Sequence, residues 1–156
     1  MNELPFDMDI AVQCESWTQQ LSDLEALAVA AISQTLVGLD SPKLGELSLA
    51  FVGDADIQNL NRDYRHKDKP TNVLSFPDDG PAPLLGDIVL AFETVRRESA
   101  EKSTSLAHHV THLIIHGFLH LQGYDHETEK AAAEMEALEI AALAALNIDN
   151  PYEIHD

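Results

Sequence analysis

Three histidines, His116, His120 and His126, carry the strongest chemical signal in the chain. His116 and His120 are four residues apart, so on a helix they project from one face and both reach a single ion. An uninterrupted helix would carry His126 round to another side. Gly123 answers that problem, because glycine takes the left-handed conformation that ends a helix and lets the chain fold back. Three neutral imidazoles leave at least one position open to water, the pattern of a catalytic rather than a structural zinc site. The expected cofactor is therefore one Zn2+, with nickel and copper also compatible with the donor set. The pairs His108/His112 and His112/His116 repeat the spacing without a glycine turn or a returning third histidine. His112 is read as an outer partner of the site or as a hydrogen-bonded core histidine. Asp125 is read as an orienting partner or a cap, since an added carboxylate ligand would tend to close the site.

The spacing also coincides with the metzincin peptidase pattern, H-E-x-x-H-x-x-G-x-x-H, with Gly117 standing where those enzymes place glutamate. That glutamate is the general base, a role glycine cannot take. No Met-turn is evident, and Met135 on a predicted helix reads as core. A metallopeptidase is thus the second choice. A different cluster favours phosphate chemistry. Arg62, Arg65, Lys67 and Lys69 place four of the nine basic residues within eight positions. Asp63 and Asp68 partly offset them, yet such a concentration suits capture of phosphate oxygens, for which arginine is geometrically the better donor. Ser75 could contact a substrate backbone or serve the strand edge. Phe76 and Tyr124 default to core packing.

The elements that must position these groups are legible from periodicity. Alternation predicts strands over Met8–Cys14, Glu46–Val52, Thr71–Phe76 and Asp87–Ala91. A capping box at Ser22 and Glu25 opens a helix that Gly38 closes. Gly53-Asp54 opens a short helix expected to carry Ile57, Leu60 and Tyr64 inward. Further helices are expected over Glu93–Glu101, Ser105–Gln122 and Thr128–Leu146, with a turn-rich surface loop over Pro77–Pro83. Strands mixed with helices indicate an α+β (mixed α/β) domain in three layers.

The chain has 156 residues, which suits a single domain. Its formal net charge of −18 opposes non-specific coating of nucleic acid, although not a local basic cleft. Cys14 is the only cysteine, which excludes an internal disulfide and paired-thiol metal sites. No secretory signal and no apolar run of about 20 residues is visible, so a cytoplasmic protein is expected.

Several segments together carry a family resemblance. They are Asn61…Arg65…Lys69-Pro70-Thr71-Asn72-Val73-Leu74-Ser75-Phe76-Pro77, then Leu85-Gly86-Asp87-Ile88, then His116-Gly117…His120-Leu121…Gly123-Tyr124-Asp125-His126. From about Leu47 to Leu146 the chain resembles the YbeY family of bacterial ribosomal-RNA maturation endoribonucleases. The resemblance implies that His116, His120 and His126 hold zinc and that Arg65 is the basic residue important for RNA cleavage. It implies single-stranded RNA as substrate, and roles in 3′-end maturation of small-subunit (16S) rRNA and in ribosome quality control. The implied partners are rRNA and ribosomal subunits, with no membrane and no DNA. The implied fold is a small four-stranded mixed sheet flanked by about five helices, its metal cleft formed by a helix and the following turn. The corresponding mechanism is metal-assisted phosphodiester hydrolysis, with Arg65 stabilising developing charge and Arg62 or Lys69 assisting. The proton acceptor stays open between solvent at the ion, the 2′-hydroxyl network and a carboxylate such as Asp87. A third reading is a non-catalytic ribosome assembly factor whose metal braces the fold.

Overall fold

Alternation in the second strand decides the architecture. Leu47, Leu49 and Phe51 are buried in one apolar cluster, whereas Ala50 and Val52 pack into another on the opposite face. A strand that is apolar on both faces must lie between two layers. The computed structural model, which describes residues 4–78, 80 and 84–153, has that arrangement. In chain order its elements are β1 (Met8–Val12), α1 (Ser16–Gln20), α2 (Leu24–Val37), β2 (Glu46–Val52), α3 (Asp54–Arg65), β3 (Val73–Pro77), β4 (Leu84–Ala91), α4 (Phe92–Glu101), α5 (Leu106–Leu121) and α6 (Glu129–Ala145). The sheet order is β1-β2-β4-β3; β1, β2 and β4 run parallel and β3 antiparallel to β4. The mixed four-stranded sheet is as expected, with six helices among the described residues rather than about five. Among the described residues no helix is long and apolar enough to cross a membrane.

The added helix, α1, is too short to show a helical period in sequence. It seats Trp17, fully buried, edge-on to Phe51 and Phe92, and the indole Nε1 donates to the Val52 carbonyl at 2.8 Å. The start of α2 also differs from expectation. Asp23, not Ser22, caps it, with Oδ1 accepting from the Ala26 N–H at 2.9 Å. A carboxylate at this position satisfies a free donor and complements the helix dipole. The expected loop over Pro77–Pro83 lies partly outside the described residues; its first member, Pro77, ends β3, and Leu84, the residue after it, begins β4.

Two devices aim the functional residues. First, α3 and α4 cap each other. The Glu93 carboxylate accepts from the Asp54 N–H at 3.1 Å, and the Asp54 carboxylate accepts from the Thr94 N–H at 3.0 Å and its hydroxyl at 2.9 Å. This reciprocal pair fixes where α3 begins and hence where its last residue, Arg65, ends. The inward stripe expected on α3 is realised at Ile57 and in part at Leu60. Tyr64 is 63% exposed instead, because α3 runs past the edge strand and leaves the ring only an edge contact with Phe76.

Second, α5 is enclosed by β3, β4, α2, α4 and α6, and most of its residues are buried. Gly117 lies where this helix crosses the sheet. A Cβ there would stand 3.0 Å from Ile88 Cγ2 and 3.0 Å from Ser75 Oγ. Gly117→Ala should therefore destabilise the protein by about 1–3 kcal/mol through overpacking. Denaturant titration checks this, and an unshifted midpoint would show that helix and sheet separate freely.

Candidate metal centre

The C-terminus of α5 closes as a Schellman motif. The Gly123 N–H donates to the His120 carbonyl and the Tyr124 N–H to the Leu119 carbonyl, both at 3.0 Å, with Gly123 at φ +99°. The chain reverses there and brings His126 back. The ring centroids of His116 and His120 are 4.5 Å apart, and His126 lies 5.5 and 5.3 Å from them. One ring nitrogen from each histidine falls within 4.8 Å of the other two.

The hydrogen bonds around two of these rings determine which nitrogen faces inward. His116 Nδ1 lies 3.0 Å from Glu139 Oε2, and His120 Nδ1 lies 3.0 Å from the Tyr124 carbonyl oxygen. Both partners only accept, so each Nδ1 carries the proton and each Nε2 presents a lone pair. The two Nε2 atoms stand 3.0 Å apart. Lone pairs converging at that distance repel unless a cation lies between them, so the donor set fits a divalent transition-metal ion. Burial, followed by the neighbouring His116, lowers the His120 pKa and favours the neutral form that can ligate.

Glu139, on α6, organises the next layer. It is fully buried, and its Oε1 lies 2.6 Å from both His112 Nε2 and the Tyr152 hydroxyl, while Oε2 serves His116. Burial alone would raise this carboxyl, but the hydrogen bonds from His112, His116 and Tyr152 outweigh it and bring the pKa down to about 2. With Nε2–H of His112 donating to Glu139, its Nδ1 is left as a buried lone pair without a partner among the described residues.

A cavity of about 540 Å³ opens on this centre, and Arg65, Asn72, Ser75, Lys102, His112 and Tyr152 share its wall with the three histidines. Arg65 is held at the rim: Nη2 donates to the Ser75 carbonyl at 2.7 Å, and the guanidinium stacks 5.0 Å over the Phe76 ring. No carboxylate is among the described residues lining this space.

The family model described as Endoribonuclease YbeY matches residues 10–147. The chain belongs to the YbeY family. The Endoribonuclease YbeY of Paramagnetospirillum magneticum is 47% identical over 156 aligned positions, covering 94% of this chain and 95% of that one. The Endoribonuclease YbeY of Sphingopyxis alaskensis is 52% identical over 146 positions, covering 85% and 86%. In fold the chain is similar to the solution structure of TM1509 from Thermotoga maritima, with a TM-score of 0.58 at 21% identity over 90% of this chain and 91% of that one.

Within this YbeY-family chain the basic cluster divides. Arg65 is on the cavity wall, whereas Arg62 is exposed and turned to Asp63 at 3.0 Å, and Lys69 is exposed and absent from the wall. Ser75 lines the cavity, but its hydroxyl donates to the Gly117 carbonyl at 3.1 Å, so that side chain ties β3 to α5. Asp125 caps the turn, Oδ1 accepting from the Glu127 N–H at 3.1 Å, and the orienting role belongs to Glu139 and the Tyr124 carbonyl. Asp87 is exposed on β4 away from the cavity wall, its pKa raised by partial burial and then by Asp78. Gly117 faces the sheet, so the position that carries the metzincin glutamate has no room for an acid here. Tyr124 is partly buried against the main core, in keeping with a packing role.

Two residues missed in sequence are Glu139 and Lys102. A third feature, the pair Glu98 and His109, braces Asn72. Glu98 Oε1 lies 2.9 Å from His109 Nε2 and 2.9 Å from Asn72 Nδ2. Burial would raise Glu98, but the hydrogen bonds from His109 and Asn72 hold it below the carboxylate range. A depressed folded pKa contributes stability above the unfolded value of 4.5 and loses it as pH falls through the folded value. The Tm advantage of wild type over Glu98→Gln should accordingly shrink as pH drops below 4.5. A constant difference across that range, measured by thermal melts, would remove Glu98 as the titrating group.

Proposed function

We propose that the chain is a metal-dependent, single-strand-specific endoribonuclease, residues 1–156 acting as one catalytic unit. Its place would be 3′-end maturation of small-subunit (16S) rRNA and ribosome quality control in the cytoplasm, on ribosomal subunits. The observation that carries the reading is the shared cavity, in which an anchored guanidinium and three converging imidazoles face the same space. Relatives named as endoribonucleases across most of the chain support the reaction class.

Charge supports the choice of substrate form. With a net charge of −18, the protein offers few counter-charges along a long phosphate track. Arg65 and Lys102 are the cations on the cavity wall. A flexible single strand can present one phosphate to such a site with its bases splayed, whereas a duplex cannot.

His116, His120 and His126 would hold the ion, with zinc the first choice. When bound, it supplies Lewis-acid polarisation of a phosphate oxygen and a lowered pKa for the attacking water. Arg65 stabilises negative charge developing on the phosphate, and Lys102 adds a second positive group at the wall. Glu139 and the Tyr124 carbonyl hold the protons on the outer nitrogens, keeping Nε2 of His116 and His120 available.

The test is cleavage of a short single-stranded RNA by protein stripped with a chelator and then reloaded with zinc. Cleavage should vanish on stripping and return on reloading, and a DNA strand of the same sequence and a denatured protein substrate should stay intact. RNA cutting that persists after stripping would overturn the metal-dependent reading. Binding to ribosomal subunits with no cutting would favour the assembly-factor alternative, and protein cleavage the peptidase.

A further inference from the structure

Tyr152 lies beyond residues 10–147, yet its side chain reaches the core of the histidine site. Its approach is built into the end of α6. Asn147, at φ +62°, reverses the chain in a second Schellman turn. Here the Ile148 N–H donates to the Leu143 carbonyl at 2.9 Å and the Asn147 N–H to the Ala144 carbonyl at 3.0 Å. The Asn150 side chain then accepts from the Tyr152 N–H at 2.8 Å, and the Tyr152 ring meets His112 edge-on at 5.6 Å.

We propose that Tyr152 is a positioning residue for the metal site, acting through Glu139 to set the tautomer of His116. The inference rests on the metal-dependent reading given above. A buried carboxylate has two oxygens and can rotate to satisfy whichever donors surround it. Here Oε1 takes two donors, His112 Nε2–H and the Tyr152 hydroxyl, each at 2.6 Å. Two donors on one oxygen hold the carboxylate plane, which leaves Oε2 for His116 Nδ1 at 3.0 Å. That bond puts the proton on Nδ1 and directs Nε2 toward His120 and His126. Removing the hydroxyl releases half of the anchor on Oε1, and the carboxylate gains freedom to turn away from His116. The phenol thus tunes ligand basicity across two hydrogen bonds, its own to Glu139 and that of Glu139 to His116.

Tyr152→Phe isolates the hydroxyl, since the ring and its contact with His112 remain, and the residue is 43% exposed. Two measurements decide the matter. Zinc affinity, by chelator competition, should weaken about tenfold, the low end of the range for an outer partner of a ligand. Long-range proton–nitrogen NMR of metal-free protein near pH 8, above the ordinary histidine range, should show His116 moving from the Nδ1–H form toward the Nε2–H form. Unchanged zinc affinity together with an unchanged His116 tautomer would overturn the proposal. If the wild type binds zinc but cuts no RNA, the endoribonuclease reading falls, whereas the tautomer shift in Tyr152→Phe would still support the positioning role.

Discussion

His126→Ala is expected to weaken zinc binding by more than about 100-fold, and Glu139→Gln by about 10–100-fold, the range typical of outer partners of metal ligands. The two losses have different origins. The His126 ring is exposed, so its removal deletes one donor without opening the core; the stability of the metal-free protein should change by less than about 0.5 kcal/mol. Glutamine at position 139 acts on the proton instead. Its single carbonyl oxygen can accept from His112 and Tyr152, which turns the amide NH2 toward His116 Nδ1. Two donors then face each other across 3.0 Å. His116 relieves the clash by moving its proton to Nε2, the lone pair the ion requires. Chelator competition on both variants, alongside thermal melts of the stripped proteins, checks the prediction. A Glu139→Gln protein that holds zinc as tightly as wild type would show that the carboxylate is merely structural.

The contrast between these residues also explains what was visible in sequence. His116, His120 and Gly123 lie within eight positions, so helix geometry and one glycine suffice to bring the ligands together. Glu139 sits on another helix among Glu129, Glu134 and Glu136, where an acidic residue passes for part of a solvated face. One signal was available. Met135, Glu139, Ala142 and Leu143 are the buried residues of α6, spaced at i, i+4, i+7 and i+8, so Glu139 interrupts an apolar stripe. Lys102 offered no such pattern, since it follows α4 and reaches the cavity only through the packing of that helix on α5. The strands were legible where both faces are buried, as in β2. At the edge the pattern weakens: β1 stops at Val12, which is 40% exposed, short of the Cys14 that alternation suggested. Likewise the basic run looked like one unit in the chain. Folding separates it, because His66 takes a left-handed conformation directly after Arg65 and ends the helix, and of the four basic residues Arg65 alone among the described residues lines the cavity.

That separation yields the sharpest kinetic expectation. Arg65→Ala should lower the rate of RNA cleavage by about 10²–10³-fold, comparable to deleting one donor that stabilises transition-state charge. Arg62→Ala and Lys69→Ala should stay within about threefold, as exposed charges usually contribute little, because neither side chain lines the cavity. Zinc content should be unchanged in all three, which separates the arginine's role from ligation. Arg65→Lys should recover little. The guanidinium spends one N–H on the Ser75 carbonyl at 2.7 Å and sits 5.0 Å over the Phe76 ring, and it still has donors left for a phosphate. An ammonium on a flexible stem cannot keep that backbone anchor and a planar oxygen contact together. Single-turnover cleavage at saturating zinc is the measurement. Equal losses in Arg62→Ala and Arg65→Ala would mean that the cluster acts as a diffuse field rather than through one placed guanidinium. A wild-type rate in Arg65→Ala would leave the cavity with Lys102 as its working cation, because no other basic side chain reaches the wall among the described residues.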